Sequence, residues 1–215
     1  MRLHLMEEKF WKNIILLKDM ENFYLIKFFQ RMSKLIGYIF LIILFFSSNQ
    51  LKAEERDKKL SKLFNELKTD NHTLTYNTEQ KIWELWSTHP NDNDLTLQLA
   101  EGSRLVRENQ LLKAEEIFTK VIKEDPNWAE AWNKRATVLY MLGDYKGSQD
   151  DIDKVLNLEK RHFGALAGQG LVNIKLENYE KAIESYQKAQ EIYPSMKSPK
   201  IMIEQIKELI KEQLI

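Results

Sequence analysis

The strongest constraint on this chain is an internal repetition at a spacing of 34 residues. Displaced by that interval, "VRENQLLKAE" at 106–115 lies over "YMLGDYKGSQ" at 140–149 and "IKLENYEKAI" at 174–183. A column of small residues, Gly102, Ala136 and Gly170, keeps the register, as does a column of large ones, Leu111, Tyr145 and Tyr179. Ala114, Ser148 and Ala182 form a second small column, followed by Phe118, Ile152 and Tyr186, then Val121, Val155 and Ala189. Pro126 and Pro194 close two units, and Lys160 holds that place in the middle one. Units 95–128, 129–162 and 163–196 follow one another without an inserted residue. A period of this length means stacked supersecondary units, none able to bury its apolar face alone. Few Gly and Pro, with many Leu, Ile, Lys and Glu, make those units helical.

The order within a unit is chemically specific. Small residues let the first helix approach the second, and Trp132, Tyr145, Tyr179 and Tyr186 fill the space between helices. Gly143 takes the turn without Cβ strain, with Asn109 a fair substitute, and proline ends the second helix. A 34-residue helix-turn-helix unit with this order of Trp, small, Tyr, Ala, aromatic and Pro resembles the tetratricopeptide repeat. The resemblance implies an all-α fold, an α-α superhelix coiling right-handed, with a concave face lined by the first helix of each unit. With "IWELW", "WNKRAT" and "RHFGAL", the wider arrangement resembles small exported tetratricopeptide proteins of alphaproteobacteria. That wider resemblance implies an envelope location and no known chemistry.

The flanks extend the stack. "LSKLFNELK" puts Leu60, Leu63, Phe64 and Leu67 on one helical face, and "EQKIWELW" puts Ile82, Trp83, Leu85 and Trp86 on another. Asn77 or Thr78 is the expected cap of that second helix. Residues 54–94 are therefore expected to hold a helical pair shielding the first repeat. Residues 197–215 are expected to form a capping helix, with Ile203, Ile206, Ile210 and Leu214 at helical spacing.

Ahead of these lies "LIGYIFLIILFF", Leu35 to Phe46, too apolar for a soluble helix. Its length spans only ~18 Å as a helix, against a hydrocarbon core of ~30 Å. Lys34 precedes it and the small Ala53 follows before "EERDKK", the order of a secretory signal over residues 32–53. An uncleaved anchor in the inner membrane is the alternative. Met32 opens an ordinary signal start, so residues 1–31 are read as a start-site artefact or a cytoplasmic extension. Export places residues 54–215 in the periplasm, and they carry 24 basic and 28 acidic residues.

The chain lacks every cysteine-based chemistry, and its balanced charge gives no footing for nucleic acid. His72, His89 and His162 are far apart, without zinc spacing, and His162 at a repeat junction reads as structural. "GQG" at 168–170 and "EGSRL" lie in helical pattern, without the strand that a nucleotide loop or nucleophile elbow needs. Asp150, Asp151 and Asp153 read as a solvated acidic face. No catalysis, metal or cofactor is expected.

The groove register points instead to a protein or peptide partner. It should display Leu99 and Ser103, then Asn133, Thr137 and Tyr140, then Ala167, Leu171 and Ile174. The basic-and-asparagine clamp of some family members is not reproduced, since Leu99, Ser103, Lys134, Gly164 and Gly168 stand in its places. Glu101, Arg135 and Gln169 recur where the family has a buried leucine, and would form a polar ladder between repeats. Arg135 is either one half of a structural pair or a groove residue that meets a partner's carboxylate. The sequence thus reads as a non-catalytic interaction scaffold of the cell envelope. A membrane-anchored assembly factor acting by self-association is the alternative, as is a groove holding the protein's own terminus.

Overall fold

The computed structural model describes residues 27–28, 31–41, 51, 53–69 and 71–213. It divides into two units, Met1–Glu55 and Arg56–Ile215. In the first, residues 31–41 are helical and exposed. Among the described residues no helix is long and apolar enough to cross a membrane. The rest of the apolar segment, most of residues 1–31 and Leu214 lie outside the described residues.

The second unit is helical throughout its regular structure. After α1 (residues 56–67 in this unit) come α2 (His72–Ser87), α3 (Asn93–Arg107), α4 (Leu111–Glu124), α5 (Ala129–Leu142), α6 (Tyr145–Leu158), α7 (Phe163–Lys175), α8 (Tyr179–Ile192) and α9 (Lys197–Gln213). The pairs α3/α4, α5/α6 and α7/α8 are the three repeats, and α9 packs on α8.

One turn geometry serves all three hairpins. Asn109, Gly143 and Glu177, each 34 residues apart, take φ of 58, 85 and 59°. Around each, the next N–H donates five residues back: Gln110 to Leu105 O at 2.9 Å, Asp144 to Leu139 O at 2.9 Å, Asn178 to Asn173 O at 2.8 Å. The left-handed residue thus lets orphan carbonyls of the first helix find donors before the chain reverses. Just inside the turn the helices touch. A Cβ on Gly102 would come within 2.4 Å of Phe118, and one on Gly170 within 2.5 Å of Tyr186. In the first and third repeats the glycine is required because an aromatic ring of the partner helix occupies that space, whereas the second repeat pairs Ala136 with Ile152.

Burial then runs continuously along the stack. Leu95, Leu99, Phe118, Val121, Trp128 and Ala131 join the first repeat to the second. Ala136, Ile152, Val155, Ala165 and Val172 join the second to the third. Ala182 and Tyr186 meet Ile203 and Ile206 of α9, with Ala167, Ile174 and Ile210 alongside.

The N-terminal pair departs from expectation. Rather than shielding the first repeat, α1 and α2 run across the repeat junctions. Leu60, Leu63, Phe64, Leu67, Ile82 and Trp86 share one core with Phe163, which opens the third repeat, and Tyr193, which closes it. At one end Tyr193 Oη donates to Glu79 at 3.2 Å. At the other, Trp128 Nε1 donates to Trp86 O at 2.8 Å, and His89 Nε2 lies 2.8 Å from Asp125. The helix begins earlier than expected, with Asn71 as its cap. Thr78 is not a cap because its hydroxyl, buried within the helix, donates to Glu66 of α1 at 3.1 Å.

Candidate functional site

On the concave side, α5 and α7 flank a hollow of about 70 Å3. Asn133, Thr137, Tyr140, Gly168 and Leu171 line its walls, over a floor of Ala136, Ile152 and Ala165. Gly168 keeps it open, since a Cβ there would meet only Ile152 Cδ1, at 3.7 Å. Tyr140 is half-buried and tilted against Tyr145, ring centres 5.5 Å apart, while Thr137 and Leu171 are exposed. Such a hollow is mostly apolar, rimmed by a few polar groups, and suits one short aliphatic side chain of an extended segment.

The hollow is bounded at one end by α2. Trp83 stands where a Cβ of Gly164 would be, 2.5 Å from its ring. Beneath it is a polar cluster centred on the fully buried His162 and Glu130. His162 caps α7, its Nδ1 accepting the Ala165 N–H at 3.0 Å, so its Nε2 carries the hydrogen and donates to Glu130 Oε2 at 3.0 Å. Asn133 Nδ2 donates to the same oxygen at 3.1 Å, and Lys134 Nζ lies 3.0 Å from Oε1. The His162 ring stacks on Trp86 at 3.9 Å. Burial alone would raise the Glu130 carboxyl, but the His162 hydrogen bond and the Lys134 charge hold it below the usual carboxylate range. Lys134 also sits 5.7 Å over the Trp83 ring. This cation is therefore engaged by the protein itself.

The structure brings Asn133, Thr137, Tyr140 and Leu171 together around one hollow and sends the other expected residues elsewhere. Leu99 is a core residue, 2% exposed, because α5 packs against that face of α3. Ser103 is half-buried and donates to Leu99 O at 2.9 Å. Ala167 is half-buried against the α8–α9 cluster, covered by the capping helix.

Arg135 is the structural half of a pair. Its Nε and Nη2 each lie 2.8 Å from the Asp151 carboxylate, and Nη1 donates to Thr119 Oγ1 at 3.1 Å. It thus ties α5 to α6 and to α4 of the preceding repeat, and Asp151, 4% exposed, is not part of a solvated face. The expected ladder is absent. Glu101 pairs with Arg104 of its own helix, and Gln169 accepts from Ser185 of α8 at 3.1 Å. Glu130 and Trp83 border the groove from outside the register's set of groove positions. The signal lay in the junction column Trp128, His162 and Met196, whose large side chains recur at 34-residue spacing where α2 lies.

Helical hairpins stacked by shared cores and leaving a hollow on one side define a solenoid of the repeat class. The chain carries tetratricopeptide repeats: models of that repeat match residues 99–156 and 164–196. A TPR repeat-containing protein of Rhizobium etli is 30% identical over 150 residues, covering 68% of this chain and 64% of the relative. The chain thus spans less than two thirds of that relative's length. Among solved structures, the Sgt2 TPR domain from Aspergillus fumigatus is similar, with a TM-score of 0.54 and 19% identity over 57% of this chain and 82% of that one. So is the first TPR of Spaghetti (RPAP3) bound to an HSP90 peptide, with a TM-score of 0.54, 16% identity, and 56% and 96% coverage.

Proposed function

We propose that this protein is a non-catalytic scaffold of the cell envelope, taking a segment of a partner protein between α5 and α7. The hollow walled by Asn133, Thr137, Tyr140 and Leu171 and floored by Ala136, Ile152 and Ala165 carries this reading. A similar fold bound to an HSP90 peptide is a precedent for peptide recognition. An acidic carboxyl terminus is not the favoured ligand, because Lys134 is held by Glu130 and Trp83 and Leu99 is core. An extended segment with an aliphatic side chain fits better. The envelope location rests on the order Lys34, Leu35 to Phe46 and Ala53.

A photo-crosslinking residue placed at Leu171 in the native cell tests the groove. Leu171 should yield a specific adduct, Gly168→Leu should abolish it by filling the hollow, and the same probe at exposed Glu116 of α4 should yield none. Adducts identical at both positions, or undiminished by Gly168→Leu in a protein with unchanged circular dichroism, would overturn the assignment.

A further inference from the structure

A second hollow lies between α1 and α2, away from the concave groove. Its volume is about 530 Å3, and four cations line it: Arg56, Lys59 and Lys62 of α1, and Lys81 of α2. Leu63 and Leu85 give it an apolar floor. Two carboxylates also face it, Glu66 and Glu84, of which Glu66 is held by the Thr78 hydroxyl at 3.1 Å. The balance is two net positive charges, in an exported portion whose overall balance is negative.

The two carboxylates offset the four cations only in part. Among the described residues, Arg56, Lys59, Lys62 and Lys81 make no ion pair within 4.0 Å, whereas other lysines and arginines make eleven. Arg56 is half-buried, and its guanidinium donates to the carbonyls of Leu85 and Thr88 at the end of α2, at 3.1 Å for the latter. Burial pushes that guanidinium below its usual value. Those carbonyls lie at the negative end of the α2 dipole and satisfy Arg56, so the cations at the hollow without an ion pair or a hydrogen-bond anchor are Lys59, Lys62 and Lys81.

We propose that this hollow binds a phosphate-bearing anion, a headgroup or a small phosphate ester, independently of the concave groove. The chemistry selects phosphate over a carboxylate. Two of the Arg56 nitrogens are spent on carbonyls, which removes the free fork that recognises a planar carboxylate. Three lysines remain as mobile point charges, suited to a compact anion with several oxygens. The apolar floor takes the carbon skeleton attached to that anion.

The test uses the full chain and two probes. Calorimetric titration with glycerol 1-phosphate reads the soluble source, and sedimentation with phosphatidylcholine vesicles, with and without phosphatidic acid, reads the headgroup. Lys59→Gln with Lys62→Gln and Lys81→Gln should weaken binding at least tenfold. Lys123→Gln with Lys154→Gln and Lys181→Gln, an equal change in charge elsewhere, should leave it within twofold. Saturable binding to glycerol 1-phosphate, lost only in the first variant, supports a small phosphate ester. A gain in sedimentation with phosphatidic acid, lost only in the first variant, supports a headgroup. No saturable response to either probe, or equal weakening by both variants, overturns the proposal. Because the groove residues are untouched, groove crosslinking at Leu171 should persist in every variant.

Discussion

Arg135 shows how much one side chain's direction matters. Its guanidinium meets a carboxylate that is itself buried, so removing it strands Asp151 rather than relieving a cost. Arg135→Leu should destabilise the protein by about 3 kcal/mol, and chemical denaturation of Arg135→Leu with Asp151→Leu should recover most of that loss. A groove-facing arginine would leave stability nearly unchanged on substitution. Glu177 marks a smaller strain, a side chain in the left-handed region where the second repeat has Gly143. Glu177→Gly should stabilise the fold by about 1 kcal/mol, read as a rise in thermal midpoint. An unchanged or lower midpoint would show that the Glu177 side chain compensates locally.

Among the elements, α2 has the widest reach. It touches the ends of all three repeats through Tyr193, His162 and Trp128, and closes one end of the groove with Trp83. Trp86 is the centre of that contact, stacked on His162 and packed with Phe64 and Phe163. Trp86→Ala should cost about 3–5 kcal/mol, the range for a buried large aromatic, by urea denaturation. The polar cluster beneath adds a pH dependence with a definite sign. Glu130 has a folded value below its unfolded one, so its contribution is complete above about pH 4.3 and is lost as pH falls through the folded value. Glu130→Gln should flatten the acid side of the stability profile. A mutant profile parallel to that of the parent would remove Glu130 from the acid response.

On the scale of the whole molecule, this strap changes how a repeat protein behaves. Solenoids whose repeats touch only their neighbours unfold as a chain of weakly linked steps. Here α1 and α2 bridge residues 128, 162 and 193 at once, so opening one junction exposes the core shared by the others. Native-state hydrogen exchange should give α3/α4 and α7/α8 similar opening free energies. Trp83→Ala with Trp86→Ala should separate them. Staggered protection in the parent protein would argue that the strap is peripheral.

The 34-residue columns alone determined the helices, their pairing, the three turns and the small-residue contacts. Each of these depends on residues close in sequence and repeated three times, so steric fit and turn chemistry are written locally. Four of the eight expected groove residues gather at the hollow for the same reason, since a repeat register fixes which face of a first helix is concave. Tertiary packing decided the rest. The register leaves Arg135 open and puts Leu99 in the groove, and only the neighbouring Asp151 and α5 assign the first to a buried pair and the second to the core. The course of α2 was equally out of reach, because an amphipathic helix states that one face must be buried and not against what. Hydrophobic burial is non-directional. The column of Trp128, His162 and Met196 across three junctions supplied the surface that received it.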